Sequence, residues 1–484
     1  MTQDYSAGKL GRSIFWSVIN QSLGQFLVFF VFLVTARFVS KDAFGIMAMS
    51  MLSIELFRQV LIESVGTSFY AKKSPTAEDY NAGFVIILLG GALTALFVFI
   101  LAGPLAELFG HGDMASTLRW ISALLLTSGL SKMHEIWLTK HLEFRILAIR
   151  SIVSISIGGA IGIAMAINGY GIASLIAQQI ISAVIAAIWL WYSTAWHPNL
   201  SFRWQHVASI LNFGKFVSLN ATANFLGGQG DVLLSSLYLG PAATGIYSAA
   251  KRLLTAITLI IGSGLNSVAL PALASLSDER EKFANAYLNG IGLTALLTAP
   301  LYAGLAVLSP DIIDLLMGDN WTEVAPVLAI LSIIGFNRSI TQYSINILLI
   351  RQKAHWQTAL AFTDGALNII LLIVVAKHGL IYLAGAFVAK TLLLSPIVTV
   401  LALNLLDLKY AALLRKTLPP ILLALSMAAL LAVVRERLEL SAIANLALFI
   451  PGGAALYILL LFIFGRAFLL QASAVLRQTL HKPG

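Results

Sequence analysis

The side chains of this sequence that could do chemistry are charged or amide groups set inside apolar runs. Glu55, Arg58, Gln59 and Glu63 follow one another at spacings of three and four, which on an α-helix places them on one face. Asn20, Gln21 and Gln25 interrupt an earlier run, and Gln229 and Asp231 sit in a glycine-rich stretch, GGQGD at 227–231. Lys251, Arg252, Arg338, Asp364 and Lys390 follow, again among apolar neighbours. Five embedded cations (Arg58, Lys251, Arg252, Arg338, Lys390) stand against four acids (Glu55, Glu63, Asp231, Asp364), an excess of one positive charge. An anionic ligand would supply the missing partner, and the forked donors of arginine suit a phosphate. The plainer alternative is a set of buried ion pairs, such as Glu55 with Arg58, that hold helices in register.

Composition says what kind of elements carry these residues. Of 484 residues, 58% are hydrophobic and 11% are charged. A water-soluble chain carries about 25% Asp, Glu, Lys and Arg, so this composition places the chain in a bilayer. At roughly 20 apolar residues per span plus a connection, the length predicts on the order of 14 transmembrane helices. Apolar stretches stand at 13–39, 43–69, 80–103, 115–137, 145–167, 171–195, 213–239 and 242–270, then at 283–308, 323–350, 355–376, 379–404, 418–434 and 441–465. They are numbered here as spans 1 to 14. Span 1 is longer than a signal-peptide core and holds Asn20, Gln21 and Gln25, so it is expected to be retained. An ionised side chain at a span centre costs about 2.5–3.5 kcal/mol. The five embedded cations are therefore expected to face a wet cavity or to find partners.

With 31 Lys and Arg against 22 Asp and Glu, the formal charge is +9. Putting both termini in the cytoplasm assigns twenty cations to that face: Lys9, Arg12, Lys72, Lys73, Lys132, Lys140, Arg145, Arg150, Arg203, Lys215, Arg280, Lys282, Arg351, Lys353, Lys409, Arg415, Lys416, Arg466, Arg477 and Lys482. Six go to the other: Arg37, Lys41, Arg119, Lys377, Arg435 and Arg437. This asymmetry orients the chain and explains most of its charge, so no nucleic-acid partner is implied. There is no cysteine, which removes disulfides, thiolate metal sites and cysteine nucleophiles. The eight histidines show no ligand spacing, and neither a metal nor another cofactor is expected. The glycine-rich pieces at 158–162, 227–230 and 262–264 read as close helix packing.

The sequence repeats itself. FVSKDAFGIMA at 38–48 matches YLGPAATGIYS at 238–248, aligning Ala43 with Ala243, Gly45 with Gly245 and Ile46 with Ile246. AELFG at 106–110 matches DLLMG at 314–318, and the turn at Tyr170–Ile172 matches that at His378–Leu380. Spans 1–6 and 7–12 therefore read as two copies of equal orientation, related by an axis along the membrane normal. The fold class expected is an all-α polytopic membrane protein, two six-helix lobes in pseudo-twofold arrangement around a central cavity plus two C-terminal helices. In domain terms that is an N-lobe at 1–196, an amphipathic linker at 197–212, a C-lobe at 213–404, and spans 13–14 with a cytoplasmic tail at 405–484.

On these residues the chain resembles a known family. Gly11 through Trp16, Gln25 and TARFVSKDAFGIMAMS at 35–50 look like the opening of the Wzx-like polysaccharide transport proteins, the oligosaccharide flippases of the multidrug/oligosaccharidyl-lipid/polysaccharide exporter superfamily. GDVLLSSLYLGPAATGIYSAAKRLL at 230–254 is similar to that family's motif, which falls here on Asp231, Leu239, Gly240, Gly245, Tyr247 and Ala250. The chain departs from the pattern at Lys41, where proline is common, and at Gly230, where asparagine often precedes the aspartate.

The resemblance implies a flippase that moves undecaprenyl-diphosphate-linked oligosaccharide to the outer leaflet of the bacterial inner membrane, for exopolysaccharide, capsule or O-antigen assembly. Arg58, Lys251, Arg252, Arg338 and Lys390, with Gln25, would then take the headgroup. Glu55, Glu63, Asp231 and Asp364 would hold those cations or couple to H+ or Na+. Membrane lipid and a polysaccharide polymerase with its export machinery are the implied partners, and a monomer suffices because the cavity lies within one chain. The rivals are a lipid II flippase, a cation-coupled drug antiporter of the same superfamily, and a membrane glycosyltransferase or polymerase. The enzyme reading lacks a site, since Asp311, Asp314 and Asp319 in the outer loop at 309–322 read as turn and helix-cap residues.

Overall fold

A computed structural model of the chain describes residues 7–72, 74–199, 204–276, 279–438 and 440–465. Among these residues there is no strand, and helical rods stand at all fourteen expected positions. The positively charged residues Lys73, Arg203, Arg466, Arg477 and Lys482, and the tail at 466–484, lie outside the described residues. Eleven helical runs are long and apolar enough to cross a membrane by length and composition. Span 1 is α1 (Ala7–Ala36). Span 2 is α2 (Lys41–Phe57), a π turn (Arg58–Glu63) and α3 (Ser64–Ala71) in one continuous rod. Span 3 is α4 (Ala77–Leu108), and span 4 breaks into α5 (Asp113–Ile121) and α6 (Ala123–Lys140). Spans 5 and 6 are α7 (Phe144–Ile167) and α8 (Ile172–Ser193).

The later rods are α9 (Trp204–Tyr238), α10 (Gly240–Ser275), α11 (Arg280–Met317), α12 (Val324–Ile350), α13 (Ala354–Ala376), α14 (Leu380–Leu405), α15 (Tyr410–Arg437) and α16 (Ala442–Phe464). Local chemistry sets several starts. The Ser40 hydroxyl accepts from the Ala43 amide at the head of α2, and Thr76 and Asp79 form a reciprocal capping box on α4. Both satisfy amides that a helix start leaves without partners.

By contact the chain forms two compact units. One comprises Met1–Ser248 with Ala361–Leu380, the other Ala249–Leu360 with Ile381–Gly484. This is a division by proximity, distinct from the division by sequence repeat. In the first unit α7 packs on α1 and α8 through glycines. A Cβ on Gly159 would overlap Val31 of α1, and one on Gly162 would stand 2.7 Å from Cβ of Gln178 on α8. The side chains at 262–264 lie outside the described ones. The outward faces are apolar: Leu89, Leu93, Leu96 and Ile100 of α4 are all more than half exposed, on one stripe. Such a stripe suits contact with lipid tails and not with water.

In the second unit α11, α12, α14 and α15 bury Phe283, Tyr287, Ile291, Tyr343, Ile347 and Leu403 together. A second cluster, with Met427, Leu431, Phe449 and Tyr457, joins α15 and α16 to α11.

Two sequence expectations change here. The outer loop at 309–322 is mostly helix, because α11 runs on to Met317 with Pro310 inside it. Asp311 is therefore not a turn residue. It is 5% exposed and accepts from Nε of Arg435 at 2.6 Å and Nδ2 of Asn445 at 2.8 Å, tying α15 and α16 to α11. The segment at 197–212 also divides. Residues 200–203 lie outside the described ones, and from Trp204 the chain is already α9, with Val207 and Ile210 buried.

Candidate functional site

Span 2 carries the densest polar group, and the π turn changes its geometry. In an α-helix Glu55, Arg58, Gln59 and Glu63 would share a face. The wider turn at 58–63 breaks that register, as π turns at functional sites often do. Arg58 binds Glu55 through Nε at 2.9 Å and Nη2 at 2.6 Å, and Nε2 of Gln59 donates to the other Glu55 oxygen at 2.6 Å. Glu63 turns away and meets Nζ of Lys132 on α6 at 2.8 Å. Lys132 also lies 3.4 Å from Glu135, which pairs with Arg150 of α7 at 3.3 Å. Glu55, Glu63 and Glu135 thus balance Arg58, Lys132 and Arg150.

Lys132 and Arg150, two of the cations that charge asymmetry places on the cytoplasmic face, are thus members of an ion-pair network that the site reading from sequence does not include. The structure buries Lys132 at 8% exposure inside the unit. The available signal was the pairing of Lys132 with Glu135, three residues apart within predicted span 4.

The glycine-rich GGQGD lets α13 approach the backbone of α9. A Cβ on Gly227 would overlap a carboxylate oxygen of Asp364, and one on Gly230 would stand 2.6 Å from Nδ2 of Asn368. Asn368, fully buried, donates from Nδ2 to the carbonyl of Leu226 at 2.8 Å. One residue beyond the glycines, Asp231 is fully buried and accepts from the Tyr247 hydroxyl at 2.8 Å. Asp231 and Asp364 therefore lie on neighbouring elements, together with Tyr247 and Asn368, which the site reading from sequence did not include. No group of three or more His, Cys, Asp or Glu suited to a metal occurs among the described residues. Gln25 lies exposed on α1.

The second unit holds the other four predicted cations. Nζ of Lys251 on α10 is 5.6 Å from the centre of the Phe387 ring, and Nζ of Lys390 on α14 is 4.6 Å from the same ring. Two like charges are thus drawn to one aromatic ring, an arrangement that cation–π attraction supports. Arg252 is exposed on α10 and Arg338 is exposed on α12. Around Arg338 run hydroxyl and amide groups: the Tyr302 hydroxyl is 3.0 Å from Thr258 Oγ1, and Asn337 donates to Ser395 Oγ at 2.8 Å. Of the four, the structure brings Lys251 and Lys390 to one ring and sets Arg338 among neutral hydrogen-bonding groups.

The sequence profile of the family described as polysaccharide biosynthesis protein matches residues 34–326. The succinoglycan biosynthesis transport protein ExoT of Rhizobium meliloti is 28% identical over 334 residues, 69% of this chain and 67% of that protein. The teichuronic acid biosynthesis protein TuaB of Bacillus subtilis is 23% identical, over 64% of this chain and 66% of its own length. The lipopolysaccharide biosynthesis protein WzxC of Escherichia coli is 21% identical, over 63% of each chain. The matches thus span about two thirds of each relative.

Among solved structures, the lipid II flippase MurJ in an inward closed conformation superposes with a TM-score of 0.76 at 17% identity, over 94% of this chain and 100% of that one. An inward-facing MATE family transporter gives 0.60 at 12% identity, over 81% and 98%. At such identities these structures speak to the fold alone. With the family profile covering more than half of its length, the chain belongs to the polysaccharide biosynthesis protein family, as a Wzx-like multi-pass membrane protein.

Proposed function

We propose that the protein is a flippase that carries undecaprenyl-diphosphate-linked oligosaccharide from the cytoplasmic to the outer leaflet by alternating access, for exopolysaccharide, capsule or O-antigen assembly. One observation carries this reading. Helices α10, α12 and α14 contain Lys251, Arg252, Arg338 and Lys390 but not one Asp or Glu. Positive charge gathered on acid-free helices suits an anionic cargo, and a diphosphate is such an anion. The hydroxyl and amide groups beside Arg338 suit the sugars that follow.

A cation-binding antiporter would need the opposite balance on these helices. Asp231 and Asp364, with Tyr247 and Asn368 beside them, take the role of the coupling site for H+ or Na+. The names of the relatives support a cargo of polysaccharide precursors, and the name of MurJ supports a lipid-linked one. The distribution of Lys and Arg supports residence in a bacterial inner membrane with both termini cytoplasmic. One chain is the working unit, beside a polysaccharide polymerase and its export machinery.

The test is transport by the purified protein in vesicles, with lipid-linked oligosaccharide and lipid II offered separately, with and without a proton or Na+ gradient. Wild-type protein is expected to move the oligosaccharide lipid. Arg252→Ala and Arg338→Ala are expected to fold and to lose that transport. Full transport by both variants would overturn the assignment, and movement of lipid II alone would replace the cargo.

A further inference from the structure

Beside the π turn lies a cavity of about 290 Å3 that the headgroup site leaves without a role. Val60, Leu61 and Val65 of span 2, Ile86 and Ile87 of α4, and Gly214 of α9 form its walls. Its polar atoms are already engaged. The Ser64 and Ser218 hydroxyls each lie 2.6 Å from the Val60 carbonyl, and 3.0 Å from one another. A stable water needs two to four polar partners of its own, and these groups have spent theirs on each other. The natural content of this cavity is hydrocarbon.

Arg58 indicates whose hydrocarbon. It stands about one helical turn before Leu61 and Ile62, which line the cavity, near the middle of the rod Lys41–Tyr70. Its Nε and Nη2 bind Glu55, while its side chain remains 44% exposed and Nη1 is left for another acceptor. Resident phospholipids keep their phosphates in the headgroup layer, outside a hydrocarbon core about 30 Å thick. A phosphate at the depth of Arg58 therefore belongs to a lipid in transit.

We propose that the cavity between span 2, α4 and α9 is a seat for the first isoprene units of the transported polyprenyl diphosphate, with its diphosphate beside Arg58 at a stage of transit separate from its stay at the second-unit cations. This rests on the flippase reading and adds to it a tail site in the first compact unit. A built seat for the tail fixes the headgroup at a defined depth, and it selects against short or unbranched chains that fill it poorly.

Two glycines make the test clean, because a Cβ on Gly90 or on Gly214 meets nothing within 4 Å. Gly90→Leu and Gly214→Leu add side-chain volume at two lining positions, on α4 and on α9, where the first added atom has room. The protein is reconstituted in phosphatidylethanolamine and phosphatidylglycerol vesicles with an undecaprenyl diphosphate probe bearing a diazirine near its diphosphate. Labelled peptides are then mapped by mass spectrometry. Label is expected on 60–65, 86–90 and 214–218, and each leucine variant is expected to reduce both labelling and transport by about tenfold. Inorganic pyrophosphate should bind the variants as it binds wild type.

If transport of the oligosaccharide lipid by wild type proceeds while the label falls elsewhere, the tail seat is overturned and the flippase reading stands. Equal labelling by a diazirine phosphatidylethanolamine that excess undecaprenyl diphosphate does not displace also overturns it, in favour of a resident lipid. Absence of transport by wild type overturns the flippase reading instead. Should either leucine variant unfold, wild-type labelling and its competition decide the question alone.

Discussion

Gly45 and Gly245, aligned by the sequence repeat, each rest on the other copy's segment. A Cβ on Gly45 would overlap the carbonyl of Pro241, and a Cβ on Gly245 would overlap that of Lys41. Because Lys41 and Pro241 are also aligned by the repeat, the exchange is what a local twofold axis between the two segments requires. Glycine at both positions lets α2 and the start of α10 meet backbone to backbone.

Leucine at either glycine should therefore part these helices. Overpacking of this kind costs about 1–3 kcal/mol, and Gly45→Leu is expected to lower the thermal unfolding temperature in detergent. Gly245→Leu should act alike, and the two together should cost less than the sum, since the first opens the crossing. Strict additivity in the double variant would show that the contacts are independent.

The Lys132–Glu63 pair joins α6 to the π turn. Lys132→Met strands Glu63 and leaves Glu135 with Arg150. Removing one partner of a fully buried pair costs about 3–5 kcal/mol, and the 38% exposure of the Glu63 side chain reduces this to about 2 kcal/mol. Glu63→Gln in the same chain should recover part of the loss. A double-mutant cycle in urea measures the coupling, and a value near zero would reduce the pair to a surface contact.

Phe387 is the shared ring for Lys251 and Lys390. Phe387→Leu keeps the volume apolar but removes the ring quadrupole, worth about 0.5–2 kcal/mol per cation. Weaker binding of pyrophosphate, by about threefold to thirtyfold, is expected, with a steeper loss as salt rises. Titration calorimetry checks both, and unchanged affinity would mean that the ring does not place the ammonium groups.

Asp311 holds spans 13 and 14 through Arg435 and Asn445. Arg435→Met should leave a buried carboxylate without its charge partner, at about 3 kcal/mol. Limited proteolysis near Leu438 should quicken, and Asp311→Asn added to Arg435→Met should slow it again. A cleavage rate equal to wild type in Arg435→Met would refute the clasp.

The spans were legible before any coordinates, because bilayer thickness and the need to satisfy every backbone group act locally on the chain. Fourteen rods stand where fourteen apolar runs were read. The loop at 309–322 was misread because Pro310 and three aspartates are turn signals in water. Inside a packed bundle Asp311 is stabilised by Arg435, far along the sequence, and the helix continues.

The sequence by itself determined which helices exist and that Lys251, Arg252, Arg338 and Lys390 lie on helices without acids. Only the tertiary structure decided the partners. The π turn sends Glu63 to Lys132 and leaves Arg58 with Glu55, so four residues expected on one face serve two separate groups. Lys251 and Lys390, distant in sequence, meet at Phe387, and Asn368 reaches α9 only because Gly227 and Gly230 leave room. Hydropathy is a sum over neighbours in sequence and so can be read along the chain. An ion pair depends on an approach of a few ångströms between distant segments, which packing alone sets.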